Sequence, residues 1–394
     1  MIQHSFKIMW NQKRKYGFIL FELSAIFLVI FLTMIYMIDQ FSKYFEGTGC
    51  EISNVYYLGI AKLPESDNPP PDYFQRIRKR LVQMESVESV SFSRHAAPYG
   101  GMGSASNTYQ YGEKSCYAGI HYAGRHLPSV LNMELSSGEW FDSAKQLSST
   151  IEIPVVINRT MAQELFGNRD PIGEIIEASS FKYKVTGVLR QFKDSDFEAS
   201  RPDIFISLHH PKTSSSAGEI LIRYEQGAHP EPARYVEEIF TVLPKDDYRV
   251  MRSSRLQTMK KMANSNISGD ILFVSLVVGF LLFNLILGLV GILGYNVNRR
   301  WSEMGIRSAV GSTRKSVRRL IFLEMLALTI MALVPVFIVI VQIPAFEWMP
   351  LTWPLFTKAT IASLVLIFVL VFTSVLYPGV MASKIQPAVA LKEE

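Results

Sequence analysis

Four long apolar runs constrain this chain more than any other feature: Tyr16 to Ile38, Ile271 to Tyr295, Leu320 to Ile343 and Phe356 to Tyr377. Each reaches the roughly 20 residues that a helix needs to cross the hydrocarbon core of a bilayer, where every backbone N–H and C=O must bond within the segment. A stretch of mixed polarity, Asp39 to Asp270, separates the first run from the second and is long enough for a compact domain. The predicted fold class is membrane all-α, four transmembrane helices, with an α+β extracytoplasmic domain inserted between the first and the second. A cleavable leader does not suit the first run: its apolar length exceeds the roughly 7 to 15 residues of a signal core, and no small-residue cleavage pattern follows. It is read as an uncleaved helix. Only 19% of the residues are charged, yet the mean hydropathy is no higher than +0.16, as expected when a large soluble domain dilutes the membrane helices.

Basic residues set the expected orientation, because Lys and Arg near helix ends are retained on the cytoplasmic side. Lys7, Lys13, Arg14 and Lys15 precede the first run. Arg299, Arg300, Arg307, Arg314, Lys315, Arg318 and Arg319 fill the gap between the second and third, and Lys384 and Lys392 follow the fourth. The turn from Pro344 to Leu355 has no basic residue. The expected partition is an amphipathic cytoplasmic helix at 1–15, membrane helices at 16–38, 271–295, 320–343 and 356–377, an outward domain with a stalk at 39–270, a cytoplasmic loop at 296–319 and a cytoplasmic tail at 378–394. The net charge of +5 is largely this inside bias, which argues against a nucleic-acid partner. Both cysteines, Cys50 and Cys116, fall in the outward domain, where an oxidising compartment permits a disulfide between them. The competing reading is two unpaired thiols buried as small hydrophobes.

Along the chain, Ile2, Phe6, Met9 and Trp10 recur at helical spacing among basic residues and suit a helix lying on the membrane surface. Gln40 to Phe45 extends the first membrane helix outward and Leu256 to Ile267 precedes the second; paired, they would form the stalk. Within the domain, Asp72 is placed to cap a helix whose Phe74, Ile77, Leu81 and Met84 share a face, with a strand at Glu88 to Phe92 after it. Ile153 to Ile157 reads as a strand, Asn158 as the cap of a helix through Met161 and Leu165, and Gly167 as its stop. Strands are expected at Phe181–Leu189, Ile204–Leu208, Glu219–Tyr224 and Tyr248–Met251, and a helix at Pro232–Val242. Pro69 to Pro71 reads as a linker or turn, and Gly100 to Gly103, lacking any helix-opening context, as a mobile loop rather than a phosphate cradle.

No G-x-x-x-x-G-K-[ST] segment occurs, so a P-loop nucleotide site is excluded, and none of the seven histidines has a familiar metal spacing; adjacent His209 and His210 read as surface residues. The informative segment lies between the second and third apolar runs. There R-W-S-E-M-G-I-R-S-A-V-G-S-T-R, from Arg300 to Arg314, combines a short helix, a glycine stop and the basic start of a second helix. Glu303 and Arg307 stand at i, i+4, a pairing that contributes only about 0.2 to 0.5 kcal/mol on an exposed helix. Met304, Ile306 and Val310 add an apolar side with no core of its own to cover, which is the character of a docking element for another protein.

That run resembles the R-x-x-E-I-G-I-R-R-A-L-G-A-T signature of the MacB-like and FtsX-like ABC transporter permease families, where it forms a coupling helix seated in a cleft of the ATPase. Ser308 replaces the usual second Arg and Ser312 the usual Ala. The ending that includes Tyr377, Pro378, Ser383 and Pro387 is similar to the family's Y-P-A-x-x-A-S-x-x-x-P-x-x-A-L. Gly138, Trp140 and Phe141, and then Leu165 to Gly173 with Val185, Gly187 and Val188, resemble its periplasmic core domain. The resemblance implies a non-catalytic permease subunit in a bacterial inner membrane, both termini cytoplasmic. It assigns ATPase coupling to Arg300, Glu303, Gly305, Ile306, Arg307 and Gly311. This chain would bind no cofactor and no metal; ATP and Mg would sit on a separate ABC ATPase. A second permease copy, identical or similar, would complete a dimer, with a periplasmic or outer-membrane partner in some assemblies. The expected function is mechanotransmission, ATP hydrolysis moving the periplasmic domain for export or extrusion of a peptide, drug or lipoprotein-like substrate. The alternative is an FtsX-like signalling subunit that activates a periplasmic cell-wall hydrolase.

Glu22, Asn284 and Glu324 are unusual inside apolar runs, because an ionised group at mid-bilayer costs at least about 2.5 kcal/mol, so each is expected to face protein or snorkel. Gly288, Gly291 and Gly294 form a small-residue stripe that permits close helix packing.

Overall fold

A computed structural model describes residues 13–63, 72–100, 105–141, 152–179, 181–208, 218–299, 310, 313–346 and 351–383. The amphipathic segment before Lys13, Pro69–Pro71, positions 101–104, His209 and His210, the run from Arg300 to Ala309 with Gly311 and Ser312, and the tail from 384 lie outside the described residues. The chain divides into two units: residues 43–267, and the flanking stretches before and after them.

In the flanking unit, α1 (Lys13–Glu46), α6 (Leu256–Arg299), α7 (Arg314–Ala345) and α8 (Trp353–Ser383) are the four helices long and apolar enough to span a membrane. α1, α7 and α8 bury Phe27, Phe31, Ile321, Leu328, Ile367 and Val371 in a common core, to which α6 adds Leu285 and Leu289. Pro335 lies inside α7 and cannot donate to the carbonyl one turn back; one residue on, the Ala332 carbonyl accepts from Ser24 Oγ of α1 at 2.7 Å. Thr313 caps α7, its side chain accepting from the Ser316 N–H. Basic side chains in that first turn oppose the helix dipole, so helix stability does not account for them. Of the glycine stripe, Gly288 abuts the Glu22 carboxylate, 3.2 Å from where a Cβ would stand, whereas nothing approaches Gly291 or Gly294 within 4 Å. The Asn284 amide donates to the Phe280 carbonyl of its own helix at 2.9 Å, which answers the polarity expected to be costly there.

The 43–267 unit is an eleven-stranded sheet with two parts. The first uses β1 (Val55–Lys62), α2 (Tyr73–Val82), β2 (Val87–Arg94), β10 (Glu219–Tyr224), α5 (Pro232–Phe240) and β11 (Tyr248–Arg255). Its antiparallel order β11-β1-β10-β2 is that of a split βαβ, with Ile77 and Leu81 of α2 and Tyr235 and Ile239 of α5 buried against Leu58, Val90 and Ile222. The second part is inserted between β2 and β10. It comprises β3 (Ala105–Tyr111), β4 (Lys114–Ala123), α3 (Leu127–Leu131), β5 (Leu135–Gly138), β6 (Glu152–Asn158), α4 (Arg159–Phe166), β7 (Ile175–Ala178), β8 (Phe181–Leu189) and β9 (Asp203–Ser207). β4-β3-β7-β8-β6-β9 run as neighbours and a parallel pairing of β9 back onto β4 closes them into a ring, which leaves those six strands without a free edge. β5 joins the ring from outside by pairing with β8, Gly138 opposite Gly187. Gly138 has φ +72°, and a Cβ there would stand 2.3 Å from the Thr186 carbonyl oxygen, so only glycine fits.

Two expectations are corrected. Asp72 precedes α2 but makes no capping hydrogen bond, facing Arg76 at 4.0 Å instead. Cys50 and Cys116 are free thiols. Cys116, on β4 opposite Tyr109, is enclosed in the ring's core with Ile153 and Val155, whereas Cys50 packs against a different core built on Tyr57, Leu127 and Phe205. Each thiol therefore fills its own apolar site.

Candidate functional site

The segment between β8 and β9 reads in sequence as a charged loop, yet it forms the most polar buried site of the domain. α1 ends with carbonyls that have no partner within the helix. Lys193, its side chain 0% exposed, donates from Nζ to the Lys43 carbonyl at 2.6 Å and to the Asp196 carbonyl at 3.1 Å, with the Glu46 carboxylate 3.6 Å away. A cation at a helix C-terminus is favoured by the dipole, and here it also replaces two missing donors. Gln191 Nε2 donates to the carbonyls of Glu46 and Gly47, both at 2.8 Å. Gly49, at φ +76°, lets the Gln191 backbone approach: a Cβ there would be 2.3 Å from the Gln191 oxygen.

Three residues on, Asp196 holds α6. Its carboxylate accepts from Asn264 Nδ2 at 2.6 Å, Tyr99 Oη at 2.8 Å and Lys260 Nζ at 3.0 Å. Burial pushes this carboxyl up, but hydrogen bonds from Asn264, Lys260 and Tyr99 and the Lys260 charge overcome that and hold it below the usual carboxylate range. Lys260 also stands over the rings of Tyr44, at 6.0 Å, and Tyr99, at 5.9 Å, which brings the expected outward extensions of α1 and α6 into contact. α6 begins directly where β11 ends, and its Leu256 and Met259 are buried in the domain core.

A second polar layer backs this one. Asn158, the predicted cap of α4, accepts from the Met161 N–H at 3.0 Å and also from the Asp203 N–H at 3.1 Å. The Asp203 carboxylate takes His121 Nε2 at 3.0 Å, Asn158 Nδ2 at 3.2 Å and Arg201 Nε at 3.3 Å. His121 Nδ1 bonds the His95 carbonyl, so both ring nitrogens donate. Burial disfavours that charge, but the Asp203 hydrogen bond and the charges of Asp203 and Asp194 outweigh it and raise the imidazole above its ordinary pKa. Neither layer pairs an activated nucleophile with a base, and among the described residues no group of three His, Cys, Asp or Glu could hold a metal ion. The arrangement holds two helices.

Of the residues assigned from sequence, Arg300, Glu303, Gly305, Ile306, Arg307, Gly311 and Pro387 lie outside the described residues, while Tyr377, Pro378 and Ser383 fall in the last turns of α8. Cys50 and Cys116 sit in the domain away from each other's core. The residues that sequence reasoning missed are Lys193, Asp196, Lys260 and Asn264. Nothing in their spacing marks them, because charges in a loop are ordinarily solvated.

Four membrane-class helices with an α/β domain between the first and second define a multi-pass membrane protein. The chain belongs to the family of MacB-like permeases: the MacB-like periplasmic core domain matches residues 24–235 and the FtsX-like permease C-terminal region matches residues 274–387. Among its relatives is the macrolide export ATP-binding/permease protein MacB of Neisseria gonorrhoeae, 24% identical over 259 residues, covering 62% of this chain and 38% of the relative. The MacB of Vibrio parahaemolyticus is 24% identical over 255 residues, covering 61% and 36%. The chain thus spans well under half the length of these relatives. Among solved structures it resembles the extracellular domain of the noncanonic ABC-type transporter YknZ from Gram-positive bacteria, at 20% identity and TM-score 0.36, covering 50% of this chain and 100% of that one. The periplasmic region of MacB from Actinobacillus actinomycetemcomitans is similar at 15% identity and TM-score 0.39, covering 55% and 95%.

Proposed function

We propose that the chain is the permease subunit of an ABC-type mechanotransmission complex, coupling ATP hydrolysis on a separate ATPase to movement of its periplasmic core domain for export or extrusion of a peptide, drug or lipoprotein-like substrate. The observation that carries this reading is the course of α6. It starts with Leu256 buried in the domain core and runs without interruption for 44 residues to Arg299, the position before the family's coupling signature. A helix of that length is roughly 65 Å long and transmits an axial push better than any loop. ATP and Mg are held by the partner ATPase, and this chain holds neither. Glu303, Gly305, Arg307 and Gly311, with Arg300 and Ile306, form the contact through which chemical energy enters. The complex resides in the inner membrane with both termini of the chain cytoplasmic. It pairs two permease copies. The name macrolide export attached to relatives supports extrusion over cell-wall signalling.

Glu303→Lys tests the reading. Reversing a charge at a docking contact costs several kcal/mol, so copurification with the cognate ATPase and stimulation of its ATP turnover are expected to fall. Wild-type complex yield and turnover in that variant would overturn the coupling assignment. Labelling of a cysteine placed at Ser302 from outside intact cells would overturn the orientation.

A further inference from the structure

A cavity of about 530 Å³ opens beside the helix-holding loop, with Ala97, Ile120, Phe197, Ala263 and Ile267 among its apolar walls. Its polar lining sets Asp194, Glu198 and Glu219 against Arg201 and the imidazoles of His95 and His121. Arg201 is committed to Asp194 at 2.5 Å and to Asp203 at 3.3 Å, and His121 to Asp203. Lys193 and Lys260 are spent on helix carbonyls and Asp196, and Arg252 donates to the Gly100 carbonyl at 3.2 Å. Set against these cations, Glu198 and Glu219 line the cavity and form no ion pair among the described residues.

Glu219 is the telling group. It is 2% exposed, and all three of its hydrogen bonds among the described residues fall on Oε2: from Ser93 Oγ at 2.9 Å and from the N–H groups of Ala96 and Ala97, each at 3.2 Å. Among the described residues Oε1 accepts no hydrogen bond. Gly100 keeps the approach to it open, since a Cβ there would stand 3.3 Å from Oε1. Asn264, on the α6 side of the cavity, spends its amide N–H on Asp196 and keeps its Oδ1 as an acceptor.

We propose that this cavity binds a primary ammonium group carried on an aliphatic or peptide chain, with Glu219 Oε1 as inner acceptor, Asn264 Oδ1 as second acceptor and Glu198 as a further counter-charge in the lining. An ammonium is donor-only and suits a lining of acceptors, and the apolar walls receive the chain behind it. Burial raises both Glu219 and Glu198 above the usual carboxylate range, and a bound cation relieves that cost. The site stands whether or not the coupling reading does, because its test involves no ATPase.

The experiment is titration calorimetry on the full chain in detergent with putrescine, with 1,4-butanediol as the neutral isostere, and with an apolar tripeptide in free and N-acetylated forms. Saturable binding of putrescine but not the diol is expected. Tripeptide binding that acetylation abolishes would identify a peptide N-terminus as the source, and binding of putrescine alone a free amine. Glu219→Gln is expected to weaken binding about tenfold or more and Glu198→Gln severalfold, while Glu134→Gln, exposed and outside the cavity lining, leaves it unchanged. Gln at 219 keeps an acceptor for Ser93, Ala96 and Ala97 and removes a charge from a buried site, so the variant should fold at least as stably; if it does not, Glu198→Gln and the diol comparison still decide. Equal binding of diol and diamine, no saturation up to about 10 mM, or wild-type affinity in the Glu variants would each overturn the proposal.

Discussion

Lys193→Met removes the buried ammonium while nearly keeping its volume. Two carbonyls, of Lys43 and Asp196, then lose a charged donor at 2.6 Å and 3.1 Å. An unsatisfied buried carbonyl costs about 1 to 3 kcal/mol, and part of that is returned because no ammonium has to be desolvated. The expected net loss is about 2 to 4 kcal/mol, concentrated where α1 meets the loop. Hydrogen exchange followed by mass spectrometry on the full chain reads this directly. Amides of residues 43–49 and 191–198 should exchange about thirty to a thousand times faster, with β1, β10 and β2 unchanged. Exchange at 43–49 within about threefold of wild type, or a uniform rise across the whole sheet, would refute the idea that Lys193 ties the helix end to the loop.

Three further outcomes follow from the geometry. Unreduced, denatured protein should alkylate fully at Cys50 and Cys116 with no cross-linked peptide, whereas in the native state both should react slowly at pH 8 because burial, the principal cause, pushes each thiol up to about 12. Gly138→Ala forces φ +72° on an L-residue and a Cβ against Thr186, so it should destabilise the domain by about 2 to 4 kcal/mol; a melting temperature within a degree or so of wild type would contradict the required glycine. Asp196 is held below its unfolded pKa of about 3.9, so its stabilisation is complete above that pH and is lost only as pH falls through the lower folded value; Asp196→Asn should therefore flatten the acid limb of a stability profile below about pH 4 and lower stability at pH 7.

The four membrane helices were legible in the sequence because a bilayer imposes one requirement on some twenty consecutive residues. β8 and β10 were read to their exact ends for a related reason: β10 is buried at every position, and along β8 Tyr183, Val185 and Gly187 are buried at alternate positions. β3, Ala-Ser-Asn-Thr-Tyr-Gln-Tyr, escaped reading because only Tyr109 is buried and its stability comes from pairing with β4, not from its own composition. Ring closure by β4 and β9 is a pairing between distant segments, with no local trace. The same holds at the site. Lys193 and Asp196 lie in Gln-Phe-Lys-Asp-Ser-Asp-Phe-Glu, where every charge looks solvated, and only the folded chain reveals that a helix end covers the lysine.

The two helices that leave the domain are attached in different ways, and the difference bears on how motion could pass through it. α6 continues straight from β11, and Leu256 and Met259 seat its first turn in the core, so an axial displacement of α6 moves an edge strand of the sheet directly. α1 instead is followed by Gly47 and Gly49, both at positive φ, before β1 begins at Val55. A chain through two such glycines transmits little force by itself. Its attachment rests on side chains: Gln191 and Lys193 on the carbonyls of α1, and Lys260 over Tyr44. Apolar packing there would stabilise as well or better, but it would let the helix slide, whereas hydrogen bonds to particular carbonyls fix its register. A polar attachment of this kind is stiff while every donor is present and fails sharply when one is lost. Weakening it should free the end of α1 from the sheet and leave the attachment of α6 intact.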